Sequence, residues 1–465
     1  MNINIKIISL LIVFFQVSTS VVAQDTLLSR PDAVSLVLEN NHGILMAKNQ
    51  VLAAQNSKSI LNSGYLPSLT GTAAANYARE DATIEFPGRV ITDTEGAIIV
   101  DPLTGNSQNF PDVELDKAEA QRYSAAITAN YTLFDGLGRL YNYKILKERY
   151  QLTALQARET IENTLLQMFS IYYEVARLTE NSFVQKQTLE ISKKRVERAN
   201  YAFEYGQNTK LDLLNAAVDI VNDSIGYLNT QQQLNNAKRD LNVILNKGLD
   251  KSFSVDTTTT FTPTVLLEGF VKDALSNNVA ILQANRNSAI NEYDIKVSAA
   301  GYLPTVDLNG SYGWNLNQNA ASAFFPGTNN KSINFNLGAS LRWNLFDGGS
   351  TSVRIKNAKI AFENQELQKE QIVLEVRRDI QNALAIFNNR YEIYKIQEQN
   401  VATNINNFER SKEQFQLGRI SSIVYRQAQI NLLNARTNKN SAKYDAKFSE
   451  LQVLQLTGQL LNSKY

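Results

Sequence analysis

Residues 333–345 alternate without interruption. Ile333, Phe335, Leu337, Ala339, Leu341, Trp343 and Leu345 fall on one side, and Asn334, Asn336, Gly338, Ser340, Arg342 and Asn344 on the other. Period-two alternation marks a strand with one apolar and one wet face. A tilted strand needs about 9–11 residues to cross a bilayer, and this run supplies them. It ends in Phe346, Asp347, Gly348 and Gly349, a turn, after which a long helical pattern begins.

Three other stretches share this design. Tyr123, Ala125, Ile127, Ala129, Tyr131 and Leu133 alternate with Ser124, Ala126, Thr128, Asn130 and Thr132, and run into Phe134, Asp135 and Gly136 ahead of another long helix. The other two each follow the phrase Gly-Tyr-Leu-Pro, at 64–67 and 301–304. Leu69, Gly71, Ala73, Ala75 and Tyr77 form the apolar side of the first; Val306, Leu308, Gly310, Tyr312 and Trp314 form that of the second, against Asp307, Asn309 and Ser311. The chain therefore carries four strands of one pattern, two in each half.

The halves repeat. The Gly-Tyr-Leu-Pro copies lie 237 residues apart, as do Asn40-Asn41 and Asn277-Asn278, while the Leu-Phe-Asp-Gly copies at 133–136 and 345–348 lie 212 apart, as do Gly206 and Gly418. The offset shrinks because the loops differ. Residues 80–120 hold ten carboxylates against Arg89 and Lys117, with Pro87, Pro102 and Pro111. They read as a long acidic loop between the first two strands, facing the cell exterior if the strands span a membrane. Residues 315–332 are a shorter, Asn-rich loop.

Helical periodicity fills most of the rest. Residues 27–63 carry it, with Pro31 and Asp32 at a helix start. From about 139 to 205 it runs almost unpunctuated, with Ile161, Leu165, Met168, Tyr172 and Val175 stepping by four and three, the seam of a coiled coil. Val376, Ile380, Ala383, Phe387, Tyr391 and Tyr394 supply the same seam in the second half. Some 65 helical residues reach roughly 100 Å, too long for a compact domain. Gly206 and Thr209 break the first rod, Gly418 and Ser421 the second, each as a left-handed helix end followed by an N-cap. Shorter helices then run to about 247 and 460.

The expected organisation is a signal peptide at 1–23, a first repeat at 24–247, a connecting segment at 248–266 with a short strand or helix, and a second repeat at 267–465. Lys6, an apolar core at 7–17 and Val21-Val22-Ala23 give the signal pattern. No run reaches the 18 or so apolar residues of a spanning helix, so any membrane is met with strands.

Four strands cannot close a barrel, and an open edge in lipid leaves backbone groups unpaired at several kcal/mol each. Copies of the chain must complete the sheet. Two copies give eight strands and three give twelve; the rods, which must also close a wall, favour three. In this reading Asn130, Thr132, Asp307, Asn334, Asn336 and Arg342 line a wet lumen, and Tyr77, Tyr123, Tyr131, Tyr312, Trp314 and Trp343 form interfacial aromatic girdles.

With these features the whole mature chain resembles the TolC family of outer-membrane efflux proteins. The duplication, the Gly-Tyr-Leu-Pro strand starts, the Leu-Phe-Asp-Gly strand ends and the turns at 206–209 and 418–421 carry the resemblance. It implies a mainly α chain whose four strands complete a trimeric twelve-stranded barrel in the outer membrane of a Gram-negative bacterium. Coiled-coil helices continue the barrel as a periplasmic tunnel. The implied partners are two further copies of the chain, a periplasmic adaptor (membrane fusion) protein, an inner-membrane pump and outer-membrane lipid. With no cysteine, the chain departs from the lipid-anchored members.

The resemblance places adaptor contact and gate at the helix turns: Gly206 and Gly418, with Thr209 and Ser421 on the hydroxyl positions. Where members often carry an acidic ring early in the last helix, this chain has Val424 and Gln427; Asp212 and Asn215 hold the equivalent positions in the first repeat. Asp212 is expected to constrain the closed tip, pairing with Arg419 while Phe415 packs beside it.

Chemistry is sparse. Zero cysteines exclude disulfides and thiolate sites, and the one histidine, His42, stands without a nucleophile motif. Gly136-Leu137-Gly138 is a turn and not a dinucleotide fingerprint. Glu148 and Glu159 read as solvated helix faces. Net charge of +1 points to no nucleic-acid partner. The expectation is no enzyme, no cofactor and no metal, but a passive conduit for multidrug efflux or type I secretion. A barrel-anchored coiled-coil surface fibre or adhesin is the alternative, disfavoured because each rod turns back toward the membrane.

Overall fold

A computed structural model describes residues 26–320 and 327–463, so the signal-like segment lies outside the described residues. In order the elements are β1 (Thr26–Leu28), α1 (Arg30–Asn40), α2 (His42–Ser57), β2 (Ser68–Ile84), β3 (Val113–Asp135), α3 (Gly138–Glu204), α4 (Lys210–Ile244), β4 (Phe253–Val255), α5 (Thr264–Asn277), α6 (Val279–Ala299), β5 (Thr305–Asn319), β6 (Thr328–Arg342), α7 (Ser350–Gln416) and α8 (Ser422–Leu456). They divide between two compact units. One combines the described residues up to Gln55 with Glu148–Ser288 and those from Glu363 onward; the other combines Asn56–Lys147 with Ala289–Phe362.

The second unit holds one antiparallel sheet in the order β2-β3-β5-β6. Its outer strands, β2 and β6, pair with no further strand among the described residues. The four alternating stretches are these four strands, but their ends differ from the sequence reading. The acidic stretch is not all loop: β2 runs to Ile84 and β3 starts at Val113, pairing Arg79 with Glu119 and Glu80 with Ala118. Backbone ladders need no apolar side chains, so the strands continue past the point where the apolar pattern stops. A register shift near Glu80 and Ala82 is accommodated by Lys117 at φ +55°, whose N–H donates to the Asp81 carboxylate at 2.6 Å. Within 85–112 the isolated bridges Val90–Asn109, Thr92–Ile98 and Val100–Ser107 order the remaining connection. Most of the Asn-rich loop is strand as well; residues 321–326 lie outside the described residues. At the other end β6 stops at Arg342 and not at Leu345, because its partner β5 begins at Thr305, directly after Pro304, which has no N–H to donate.

In the helical unit the duplication is visible in element lengths. α3 and α7 each have 67 residues, α4 and α8 each 35. Both ends of each pair are displaced by 212 residues. Beyond Gly138, neither long helix contains a glycine or proline, so nothing local ends them before the turn. The α3 seam is buried: Leu165, Met168, Tyr172 and Val175 are fully enclosed, with Phe387 of α7, Leu241 of α4, and Leu451 and Val453 of α8 in the same cluster. The Tyr172 hydroxyl donates to Leu28 O at 2.8 Å and accepts the Asp256 N–H at 3.1 Å, tying α3 to the small parallel sheet of β1 and β4.

The helical pattern over 27–63 breaks at Asn41, and its repeat breaks at Asn278. Asn41 Oδ1 accepts the Gly43 and Ile44 N–H groups, while its Nδ2 donates to Ile244 O at 3.0 Å. Asn278 Oδ1 accepts from Ala280 and Ile281, and its Nδ2 donates to Leu456 O at 2.8 Å. One amide thus starts the next helix and ties down the carbonyl end of α4 or α8. Glu148 and Glu159 are not merely solvated. Glu148 pairs with Arg286 at 3.1 Å, and Glu159 accepts from Gln283 at 2.8 Å, both across to α6. His42 begins α2 with its Nε2 3.3 Å from the Asn246 amide.

Candidate functional site

The register puts all six expected lumen residues on one face of the sheet. Thr132 faces Asp307, which faces Ser340; Asn130 faces Asn309; Asn336 faces Ser311; Asn334 faces Gly313; and Arg342 faces Thr305. The Thr132 hydroxyl donates to Asp307 at 2.6 Å. The opposite face is apolar, with rows such as Ile127–Tyr312–Phe335 and Ala125–Trp314–Ile333. Leu337 is 76% and Phe335 72% exposed, so large apolar side chains stand unburied across a whole sheet face. Tyr77, Tyr123, Tyr131 and Trp314 share that face. Tyr312 lies between Ile127 and Phe335, well inside the strand and away from its ends. Trp343 follows the end of β6 and donates its indole N–H to Tyr302 O at 3.1 Å.

Where α3 turns into α4, and α7 into α8, two hairpins form on one plan. Gly206 and Gly418 both sit at φ +70°, where a Cβ would meet open space. Backbone conformation, and not crowding, calls for glycine there. Gln207 N–H then closes on Ala202 O at 2.7 Å, and Arg419 N–H on Gln414 O at 2.8 Å. The next helices are capped by Thr209 and Ser421, but unequally. Thr209 and Asp212 form a full capping box, each accepting the other's N–H at 3.2 Å. Ser421 accepts the Val424 N–H at 3.4 Å, and Val424 has no carboxylate to return.

The expected pairing of Asp212 with Arg419 is not made within the chain. The Asp212 carboxylate is taken by the Thr209 N–H and, at 2.7 Å, by the Thr209 hydroxyl. Arg419 is exposed and forms no ion pair among the described residues. Asn215, also exposed, lies about one turn further along α4. Phe415 packs elsewhere too: it stacks on Tyr425 at 4.8 Å and 9°, and the Arg198 guanidinium lies over its ring at 4.8 Å. Tyr425 in turn stacks on Phe408 at 5.6 Å, and burial raises its hydroxyl pKa.

A second constellation, which the sequence reading missed, lies next to this stack. Arg426 of α8 grips Asp223 of α4 through both terminal nitrogens, at 2.7 Å each, and approaches Asp219 at 3.5 Å. Ser192 of α3 donates to Asp223 at 2.5 Å, and Gln429 of α8 donates to Ser192 at 3.0 Å and to Thr188 O at 2.9 Å. Arg195 of α3, buried, pairs with Asp219. Burial pulls the Arg195 pKa down. For Arg426 burial also pulls down, but the hydrogen bonds and charge of Asp223, with Asp219, outweigh it and leave it raised. Three helices are thus locked by buried charge. A signal was present: Asp223 follows Ala216 by seven residues and both are buried, so a polar residue stood in core register.

A sheet that is apolar on one side, wet on the other and open at both edges, joined in sequence to paired helical hairpins, defines a subunit of an outer-membrane channel. The profile of the outer membrane efflux protein family matches residues 33–247 and 270–459, and the chain belongs to that family. It is 24% identical over 311 residues to outer membrane protein TolC of Vibrio cholerae serotype O1, covering 66% of this chain and 70% of that one. Among solved structures it resembles the Campylobacter jejuni CmeC outer membrane channel (TM-score 0.70, 18% identity, 93% of this chain and 86% of that one). It also resembles VceC of Vibrio cholerae (TM-score 0.68, 15%, 92% and 96%) and the open state of the Neisseria gonorrhoeae MtrE channel (TM-score 0.66, 16%, 93% and 89%). The fold is that of the TolC-family channel-tunnels, with its internal duplication. The chain is an efflux channel-tunnel component of the Gram-negative outer membrane, with its helices in the periplasm. The family is one of transport channels and not of enzymes. TolC-family channels are homotrimers that work with adaptor proteins and inner-membrane pumps.

Proposed function

We propose that three copies of this chain assemble into a twelve-stranded barrel and conduct solutes passively from a periplasmic adaptor and an inner-membrane pump to the outside. The observation that carries this is the sheet with two unpaired edges, which in lipid would leave a row of backbone groups unsatisfied on each side. A second observation agrees. On α4, Leu211, Leu214, Val218, Val221, Ile225 and Leu228 step by three and four, and each is 51–65% exposed in the single chain. That is a coiled-coil seam without a partner, and a neighbouring copy would cover it.

In this proposal Asn130, Thr132, Asp307, Asn334, Asn336 and Arg342 face the lumen, and Tyr77, Tyr123, Tyr131, Tyr312, Trp314 and Trp343 face lipid. The chain divides into a signal peptide at 1–23, repeats at 24–247 and 267–465, and a connecting segment between them. Gly206, Thr209, Asp212 and Asn215, with Phe415, Gly418, Arg419 and Ser421, form the periplasmic tip. There Asp212 constrains the closed state by stiffening the start of α4, and Arg419 is left free to reach a neighbouring copy or the adaptor. Energy comes from the pump; the tunnel holds no cofactor. Release of a trapped fluorescent solute from liposomes tests the conduit. Purified Asp212→Ala protein, its closed tip loosened, should release it faster than wild type, and a membrane-bound variant that stays sealed would sink the reading. Nothing in the fold favours the surface-fibre alternative.

A further inference from the structure

A groove of about 670 Å³ opens between α3 and α7, beside the Phe408–Tyr425–Phe415 stack. Ile191, Ile405, Phe408 and Tyr425 form its floor, and Phe183, 63% exposed, stands at one side. Such a volume suits a drug-sized molecule, and such a lining is what small-molecule sites use. The rim is basic. Lys186, Lys194, Arg198 and Arg436 all border the groove, and none has a carboxylate partner among the described residues: Arg198 donates to the Phe415 and Gln416 carbonyls, and Arg436 to the Gln187 side chain. The two acids on the rim are already matched, Glu190 with Lys193 at 2.8 Å and Glu409 with Lys412 at 3.1 Å. Lys186 and Lys194 add to the positive field at Glu190, whose carboxyl is held below its ordinary range first by the Lys193 hydrogen bond.

We propose that this groove binds an amphipathic organic anion, its apolar body on Ile191, Ile405 and Phe408 and its anionic head among Lys186, Lys194 and Arg198. An uncharged or cationic amphiphile would leave those cations unmatched over an apolar floor. An anion would be attracted by three solvent-facing cations at once while its apolar body covers the floor. Because the ligand would bridge α3 and α7 against the aromatic stack, it would also hold the hairpin bearing Phe415 in place.

The probe is naphthalene-2-sulfonate, with naphthalen-2-ylmethylammonium as its charge-reversed twin. The full-length channel in lipid nanodiscs is titrated with each by saturation-transfer difference NMR, with empty nanodiscs subtracted. Saturable binding of the sulfonate, at least tenfold tighter than the ammonium, is expected. Lys186→Glu/Lys194→Glu, a change of two exposed side chains, should weaken sulfonate binding at least tenfold, and Phe183→Asp should also weaken it. Lys272→Glu, on α5 away from the groove, should not. Equal binding of both probes, equal loss in Lys272→Glu, or no sulfonate binding by the free channel, which would leave the groove to a protein helix, overturns the proposal.

Discussion

Arg426 and Asp223 meet in a two-pronged ion pair, both guanidinium terminal nitrogens 2.7 Å from the two carboxylate oxygens, in a site where Asp223 is only 5% exposed. Charges taken this far from water stabilise only as a set. The pair joins α8 to α4, and the residue before Arg426, Tyr425, carries the stack that holds Phe415. Position at the tip is therefore set from a point deeper in the bundle.

Removing one partner should cost more than removing both. Arg426→Ala leaves Asp223 buried without its cation and should destabilise by about 3–5 kcal/mol. Arg426→Met with Asp223→Leu should cost clearly less. Denaturant unfolding followed by far-UV circular dichroism compares them. An equal or greater loss in the double variant would show that the charges themselves hold the helices.

The tip prediction separates a cap from an ion pair. Asp212→Ala and Thr209→Ala each break the capping box and should each cost about 1 kcal/mol locally. In planar bilayers both should raise the open probability to a similar degree, whereas Arg419→Ala should not act through this cap. If Asp212→Ala alone opens the channel and Thr209→Ala does nothing, the cap is not the constraint.

Glycine at 136 should tolerate less than glycine at 206. Gly136 sits at φ +68°, and a Cβ there would lie 2.5 Å from Ala300 O and 2.9 Å from Leu303 Cβ. Gly206 has the same handedness with open space around it. Gly206→Ala should cost roughly 1–2 kcal/mol of backbone strain, and Gly136→Ala more, because a backbone carbonyl must move. Yield of folded protein on reconstitution and unfolding midpoints report the order.

Glu162 gives a pH prediction. Its side chain is 1% exposed; Arg158 reaches one oxygen at 2.8 Å, and the other has no hydrogen-bond partner. Burial pushes its pKa up, and Arg158 only partly offsets this. The folded state then holds a proton more tightly than the unfolded chain. Its contribution should therefore be least favourable above the raised folded value and improve as pH falls toward the ordinary carboxylate value of about 4.3. Glu162→Gln should match or exceed wild type in thermal stability at pH 7, and lose that advantage on acidification toward pH 4. Wild type gaining on the variant as pH rises would contradict the sign.

The sequence carried the strands because one face must be apolar and the other wet, and it carried the rods because glycine and proline are missing from them. It also showed Asn41 and Asn278 as a repeated phrase. The reason lies in the folded chain: each amide reaches a helix end more than 170 residues away. Strand ends past the apolar alternation were not legible, since Arg79 and Glu119 pair through backbone groups that leave no side-chain pattern. The candidate site was half legible. Gly206, Gly418, Thr209 and Ser421 announce their turns locally. The Ser192–Asp223–Arg426 lock joins three helices, and no local rule predicts which distant arginine meets which aspartate.

One chain cannot finish its own sheet. Native mass spectrometry of the protein extracted in mild detergent counts the copies directly. Three copies per particle are predicted, twelve strands at four per chain. A stable single copy, or a pair, would contradict the account.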